Sequence, residues 1–186
     1  PDSPWLELPL SSKGMLTPLT AQENTLYFLE VSEQYPWGRL IKVTLDPQDK
    51  SATTEVHWQE VIPQQEFEKL TKIFPFAHES LKTPVLILQY EALGRTTFRV
   101  IDESALETEN PLESAKSIFP SDELSSAKIV RQSKDHLYFS RLTFDDAEKV
   151  YAYSVATGEV NIIESNDVPI VFDELESQIL EYNSPN

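Results

Sequence analysis

Cysteine is absent from the 186 residues, and glycine occurs only 4 times. The missing thiol excludes a disulfide framework, thiolate metal sites and a cysteine nucleophile together, and leaves the redox compartment open. The four glycines, Gly14, Gly38, Gly94 and Gly158, are dispersed along the chain. A phosphate-cradling loop needs several glycines in one turn, so nucleotide binding by that route is excluded. The Gly-x-Ser-x-Gly elbow that exposes a nucleophilic serine is missing as well. Positive charge is scarce: 15 Lys and Arg stand against 31 Asp and Glu, for a net −16 and a pI of about 4.5. Nucleic-acid affinity rests on basic side chains neutralising phosphates, so nucleic acid is excluded as a partner, and an anionic membrane surface likewise. No run approaches the roughly 20 apolar residues of a spanning helix. The stretch Pro1 to Leu10 lacks the basic and apolar regions of a signal peptide. The first residue is not methionine, which leads us to expect a mature, processed or cut-down product.

What is present is apolar enough to fold. Hydrophobic residues make up 40% and aromatics 10% of the chain, above the range of disordered segments despite the charge. The length suits one domain that buries about two thirds of its surface.

Alternation with period 2 dominates. Thr25 to Val31 is apolar on both faces, Pro36 and Gly38 break the chain, and Ile41, Val43 and Leu45 then alternate with polar neighbours, which predicts a hairpin. Asp46 to Ser51 has turn chemistry and leads to a third strand over about 54–61. The pattern recurs at Val85 to Tyr90 and, beyond Gly94, at Thr96 to Ile101. It recurs again at Leu137 to Leu142, Val150 to Val155 and Val160 to Ile163, with a turn at Ala156 to Glu159. The tripeptide Leu-Tyr-Phe stands at both Leu26 and Leu137, with the Val85 strand near halfway. Half of that separation is near the roughly 40–50 residues of a four-stranded propeller blade, with room for longer loops. Helix is expected only over 64–71 and 172–180, about two turns each. The acidic stretch 103–126 reads as connecting loops with one short strand near Ser117 to Phe119.

Candidate chemistry is sparse. His57, His78 and His136 are too far apart for a zinc motif. His57 reads as a sheet residue facing away from Trp58, and His136 as a turn residue beside Asp135. Asp145, Asp146 and Glu148 lack the Asp-x-Asp-x-Asp-Gly rhythm of a calcium loop and read as a solvated acidic turn. Trp37, Tyr151 and Tyr153 suit either an aromatic binding surface or packing between sheets, with packing favoured. Catalytic, cofactor and metal residues are therefore all expected to be none.

Several phrases resemble the later part of the propeller domain of the prolyl oligopeptidase family of serine peptidases. Arg39-Leu40-Ile41-Lys42-Val43-Thr44-Leu45-Asp46-Pro47 looks like a blade ending of that family. Trp58-Gln59-Glu60-Val61-Ile62-Pro63-Gln64 is similar to its next segment, and Val85 to Tyr90 matches a strand in position. Asp135 to Glu159 carries Leu137-Tyr138-Phe139-Ser140, then Val150-Tyr151-Ala152-Tyr153, closed by Ala156-Thr157-Gly158-Glu159. Glu148-Lys149 stands where the family commonly has Pro-Gly, so this turn must be built differently. Phe172-Asp173 and Ile179 to Ser184 look like the crossing into the family's peptidase domain.

The resemblance implies an all-β partial β-propeller of about three four-stranded antiparallel blades, at about 5–62, 63–118 and 119–170, followed by a crossing segment at 171–186. It implies a non-catalytic part of a peptidase, gating short peptides toward a catalytic domain outside these residues, and leans toward a cytoplasmic location. No site residue of the family transfers to these positions. Uncovered terminal blades invite self-association or pairing with the rest of a larger peptidase. The alternative from another class is a stand-alone acidic β-protein acting as a protein-binding or inhibitor module, its charge steering it to basic surfaces. Strong weakening of a partner interaction by salt would favour the alternative. A reading frame that continues into Gly-x-Ser-x-Gly would favour the peptidase.

Overall fold

The computed structural model describes residues 14–22, 25–45, 56–76, 81, 84–120, 124–144 and 146–165. The turn expected at Asp46 to Ser51, His78, Asp145, the helix expected at 172–180 and the crossing segment at 171–186 lie outside them.

Among the described residues, twelve strands form three four-stranded sheets, each ordered as the chain runs. Sheet 1 holds β1 (Met15–Gln22), β2 (Thr25–Val31), β3 (Arg39–Leu45) and β4 (Val56–Ile62). Sheet 2 holds β5 (Lys69–Phe76), β6 (Val85–Ala92), β7 (Arg95–Asp102) and the two-residue β8 (Lys116–Ser117). Sheet 3 holds β9 (Ser125–Gln132), β10 (His136–Thr143), β11 (Lys149–Ser154) and β12 (Val160–Ser165). The fold of the described residues is all-β, with three four-stranded antiparallel sheets.

The alternating segments became strands because each can bury one row of side chains. In β2, Tyr27 and Leu29 point to the core while Leu26 and Phe28 are half-buried on the other face. β6 opens on the apolar run Val85 to Leu88, and all of Val85 to Tyr90, the polar Gln89 included, is buried. Turns follow their local chemistry. Leu93 and Gly94 both have positive φ, 40° and 79°, as the two central residues of a tight hairpin require for its twist to match the strands. Gly38 has φ 79°, so its backbone favours glycine, and a Cβ there would lie 2.8 Å from Leu29 Cδ1, which would have to shift.

The chain divides into two compact units: Pro1–Tyr90 with Phe98–Lys116, and Glu91–Thr97 with Ser117–Asn186. In the first, Tyr27, Leu29, Leu40, Val61 and Ile62 from sheet 1 share one apolar core with Leu70, Ile73, Leu86, Leu88, Tyr90, Ile101 and Leu106. In the second, Leu137 and Phe139 are fully buried. Phe119 packs edge-on against Phe139 and Tyr151, with ring centroids 5.4 Å and 5.3 Å apart.

Two expectations need correction. The segment 64–71 is no helix: Gln65 and Glu68 pair across a tight turn, and β5 starts at Lys69. The Phe67 and Leu70 spacing suits a helix, but Phe67 takes φ 64°, and the Leu70 amide donates to the Trp37 carbonyl at 3.2 Å. A hydrogen bond from a neighbouring loop has overridden a weak local preference. The stretch 103–126 is more than connecting loop. It carries two 3-10 turns, Glu103–Glu107 and Pro111–Ser114, which bury Leu106 and Pro111, and the start of β9.

Candidate functional site

Among the described residues, no group of three or more His, Asp or Glu is placed to hold a metal. His57 lies exposed on β4 opposite Thr44, and His136 is half-buried where β10 begins. In the second case the turn itself explains the residue. The His136 amide donates to Ser133 Oγ at 3.1 Å, its carbonyl accepts from the Ser133 amide at 2.9 Å, and its ring lies 6.3 Å from Tyr138. His57 and His136 stay on separate elements.

The acidic turn between β10 and β11 is used structurally. Asp146 accepts from the Lys149 ammonium and from the Ala147 amide, and Glu148 accepts from the Ser140 hydroxyl. The Lys149 bond, ahead of a small opposing effect of burial, lowers the Asp146 pKa below the usual carboxylate value. This turn is therefore closed by side chains where a Pro-Gly pair would close it through backbone geometry. Tyr153 belongs to the buried set and Tyr151 packs on Phe119, as the packing reading expected.

Each sheet places one arginine over an aromatic ring. The Arg39 guanidinium is 3.6 Å from the Tyr35 centroid, Arg99 is 4.7 Å from Tyr90, and Arg141 is 4.8 Å from Phe119. Arg39 is the most heavily engaged. It donates to Glu30 at 2.7 Å and to Glu60 at 2.6 Å, with the Arg39 and Glu30 side chains 7% and 5% exposed. Burial disfavours its charge, but the bonds to Glu60 and Glu30 outweigh that and hold its pKa above the ordinary value. Arg99 pairs with Glu68 at 2.5 Å, Lys42 with Glu107 at 2.5 Å, and Tyr27 donates to Glu103 at 2.6 Å. With Arg39 and Glu30 buried and Glu60 closing the pair from a more exposed position, the Arg39 cluster acts as a structural tie between strands.

The remaining chemistry-bearing surface in the first unit is formed by the loop between β2 and β3 (32–38) and the loop between β4 and β5 (63–68). The rings of Trp37 and Phe67 meet at 6.0 Å and 55°. The Leu70 to Trp37 backbone bond and a Gln64 side-chain bond to the Gln34 carbonyl, 3.4 Å, fasten the loops together. Phe67 is 57% exposed and sits in the left-handed region at φ 64°. That conformation costs a non-glycine residue of order 1 kcal/mol. Trp37 stands out in the sequence as a candidate, and Phe67 does not. The signal available was an aromatic between two glutamates, four residues after Pro63, where a turn normally asks for glycine or asparagine.

No family model matches the sequence, and no curated protein is similar to it at a significant level. Solved structures do match in fold. A structure from work on two prolyl endopeptidases covers 88% of this chain at a TM-score of 0.63 and 19% identity. Oligopeptidase B from Trypanosoma brucei, with covalently bound antipain, and prolyl oligopeptidase B from Galerina marginata each cover 83% at a TM-score of 0.59 and 14% identity. The chain spans about a fifth of the length of these proteins, 21%, 21% and 20% respectively. Its three sheets have the fold of the propeller domain of prolyl oligopeptidases.

Proposed function

We propose that these residues are the non-catalytic β-propeller portion of a prolyl oligopeptidase-like serine peptidase, gating the access of short peptides to a catalytic domain outside this chain. The observation that carries the reading is the match of three successive four-stranded sheets to those peptidases over 88% of the chain. The sequence supports the non-catalytic part of the reading, since it contains no nucleophile elbow, and His57 and His136 stand on separate sheets. The purified chain should leave a proline-containing reporter peptide intact. Hydrolysis that a serine-directed inhibitor abolishes would overturn the proposal. A native protein with an intact mass well above 21.2 kDa and a Gly-x-Ser-x-Gly segment in its further sequence would support it.

The same reading includes a partner, either another copy of the chain or the remainder of a larger peptidase. The support is an outer strand, β12, whose Ile162 and Ile163 are more than half exposed. Sedimentation at micromolar concentration should detect an associating species, and a strictly monomeric one would count against this part.

A further inference from the structure

Exposed apolar residues are common, but Phe67 combines features that folding alone does not reward. Its ring projects into solvent, its backbone is in a conformation that glycine would adopt freely, and it meets a second aromatic, Trp37, from another loop. The pair is held in place beforehand by the Leu70 to Trp37 backbone bond and the Gln64 to Gln34 bond, so little conformational freedom is left to lose on binding. The charges around it differ in state. Glu30 and Glu60 are taken up by Arg39, and Glu68 by Arg99. Glu33 and Glu66, on the same two loops, are exposed and have no ion-pair partner among the described residues.

An aromatic pair on two loops that also carry the exposed carboxylates of Glu33 and Glu66 suits a cation, because ring faces carry negative charge density and the carboxylates add full negative charge to the same loops. We propose that the 32–38 and 63–68 loops bind a lysine- or arginine-bearing peptide segment of a partner protein, with a basic side chain stacked on Phe67 and Trp37 and its neighbours held by Glu33 and Glu66. The net charge of −16 selects this occupant over the others. A second copy of the chain would bring like charge to the surface, and nucleic acid would bring phosphates, whereas a basic segment is drawn in. This goes beyond the gating role and does not depend on it.

The test uses the 186-residue chain and a fluorescein-labelled peptide of alternating lysine and glycine, with a glutamate-for-lysine counterpart, followed by fluorescence anisotropy at physiological salt. Saturable binding of the lysine peptide alone is expected. Phe67→Gly, which relaxes the turn and so folds, should weaken it about tenfold or more, as loss of the anchor at the centre of a small site does. Glu33→Lys combined with Glu66→Lys leaves the rings in place and should weaken it by at least as much. Trp58→Ser, at an exposed aromatic on β4, should bind as the parent does. Thermal unfolding of each variant checks the fold. The proposal is overturned if the lysine peptide fails to bind, if Phe67→Gly binds equally well, or if Phe67→Gly merely disperses a self-associated species in sedimentation.

Discussion

The two compact units use the same strand grammar and reach different degrees of closure. In the first, two sheets bury their apolar rows in a common core, and Tyr27, Leu40, Leu70, Leu86, Leu88, Tyr90, Ile101 and Leu106 are all at or below 1% exposure. In the second, Leu137 and Phe139 reach 0%, yet Val130, Leu142, Ile162 and Ile163 stand at 50% or more. The difference lies in what each sheet has to bury itself against. A pleated sheet presents side chains on two faces, and alternation alone hides only the row that another layer covers.

Large-to-small substitutions in the two cores should break this comparison most forcefully. Leu88→Ala, inside the shared core, should cost about 4 kcal/mol in urea unfolding, as buried leucines do when a cavity is left. Phe139→Ala should cost about as much, but hydrogen exchange should report the loss mainly over β9 to β12. Equal loss of protection across β6 would show that the units do not open separately.

Removing Arg39 should come next. Arg39→Ala leaves Glu30 buried beside an unfilled space, at a cost of about 3 kcal/mol. In the second unit, Lys149→Ala removes a surface ion pair to Asp146 and should cost no more than about 0.5 kcal/mol. Comparable losses would mean that the Arg39 cluster contributes no more than an exposed pair.

Alkaline titration should separate the units further. Burial raises the phenol pKa of Tyr27, with Glu103 adding to it, and burial raises those of Tyr90 and Tyr153. The folded values lie above the unfolded value near 10, so this stability is complete below about pH 10 and falls as the pH rises beyond it. The slope approaches about 1.4 kcal/mol per pH unit for each such tyrosine. Tyr27→Phe should reduce the slope more than Tyr153→Phe, because burial of Tyr27 is reinforced by its hydrogen bond to Glu103 and the nearby carboxylates, whereas burial alone acts on Tyr153. Urea midpoints between pH 9 and 11 would reveal equal effects if burial in the two units were alike.

The smallest effect is expected at β12. Ile163→Ala, at a side chain 55% exposed, should change stability by less than about 0.5 kcal/mol. A larger loss in the isolated chain would mean that this strand is covered in solution.

Reading the sequence was most successful where one segment carried its own pattern. Thr25 to Val31, Val85 to Tyr90 and Leu137 to Leu142 could be placed because their apolar residues alternate or run continuously between clear turn residues. β1 and β5 were missed because Pro18 and Pro75 interrupt them, and both are edge strands, where a missing amide is tolerated. β9 was missed because its serines and basic residues dilute the pattern. The candidate surface is half legible: Trp37 beside Gly38 stands out, whereas the spacing of Phe67 and Leu70 suits a helix that the left-handed φ of Phe67 forbids.

The sequence by itself determined the all-β class, the order of the hairpins, the sign of the charge and the lack of a nucleophile elbow, because these depend on residues near one another in the chain or on simple counts. Only the tertiary structure decided which glutamates Arg39 and Arg99 neutralise, which leave Glu33 and Glu66 exposed, and that Trp37 meets Phe67. Those pairings join loops that are distant in sequence, and burial and hydrogen bonding between them exist only once the sheets have packed.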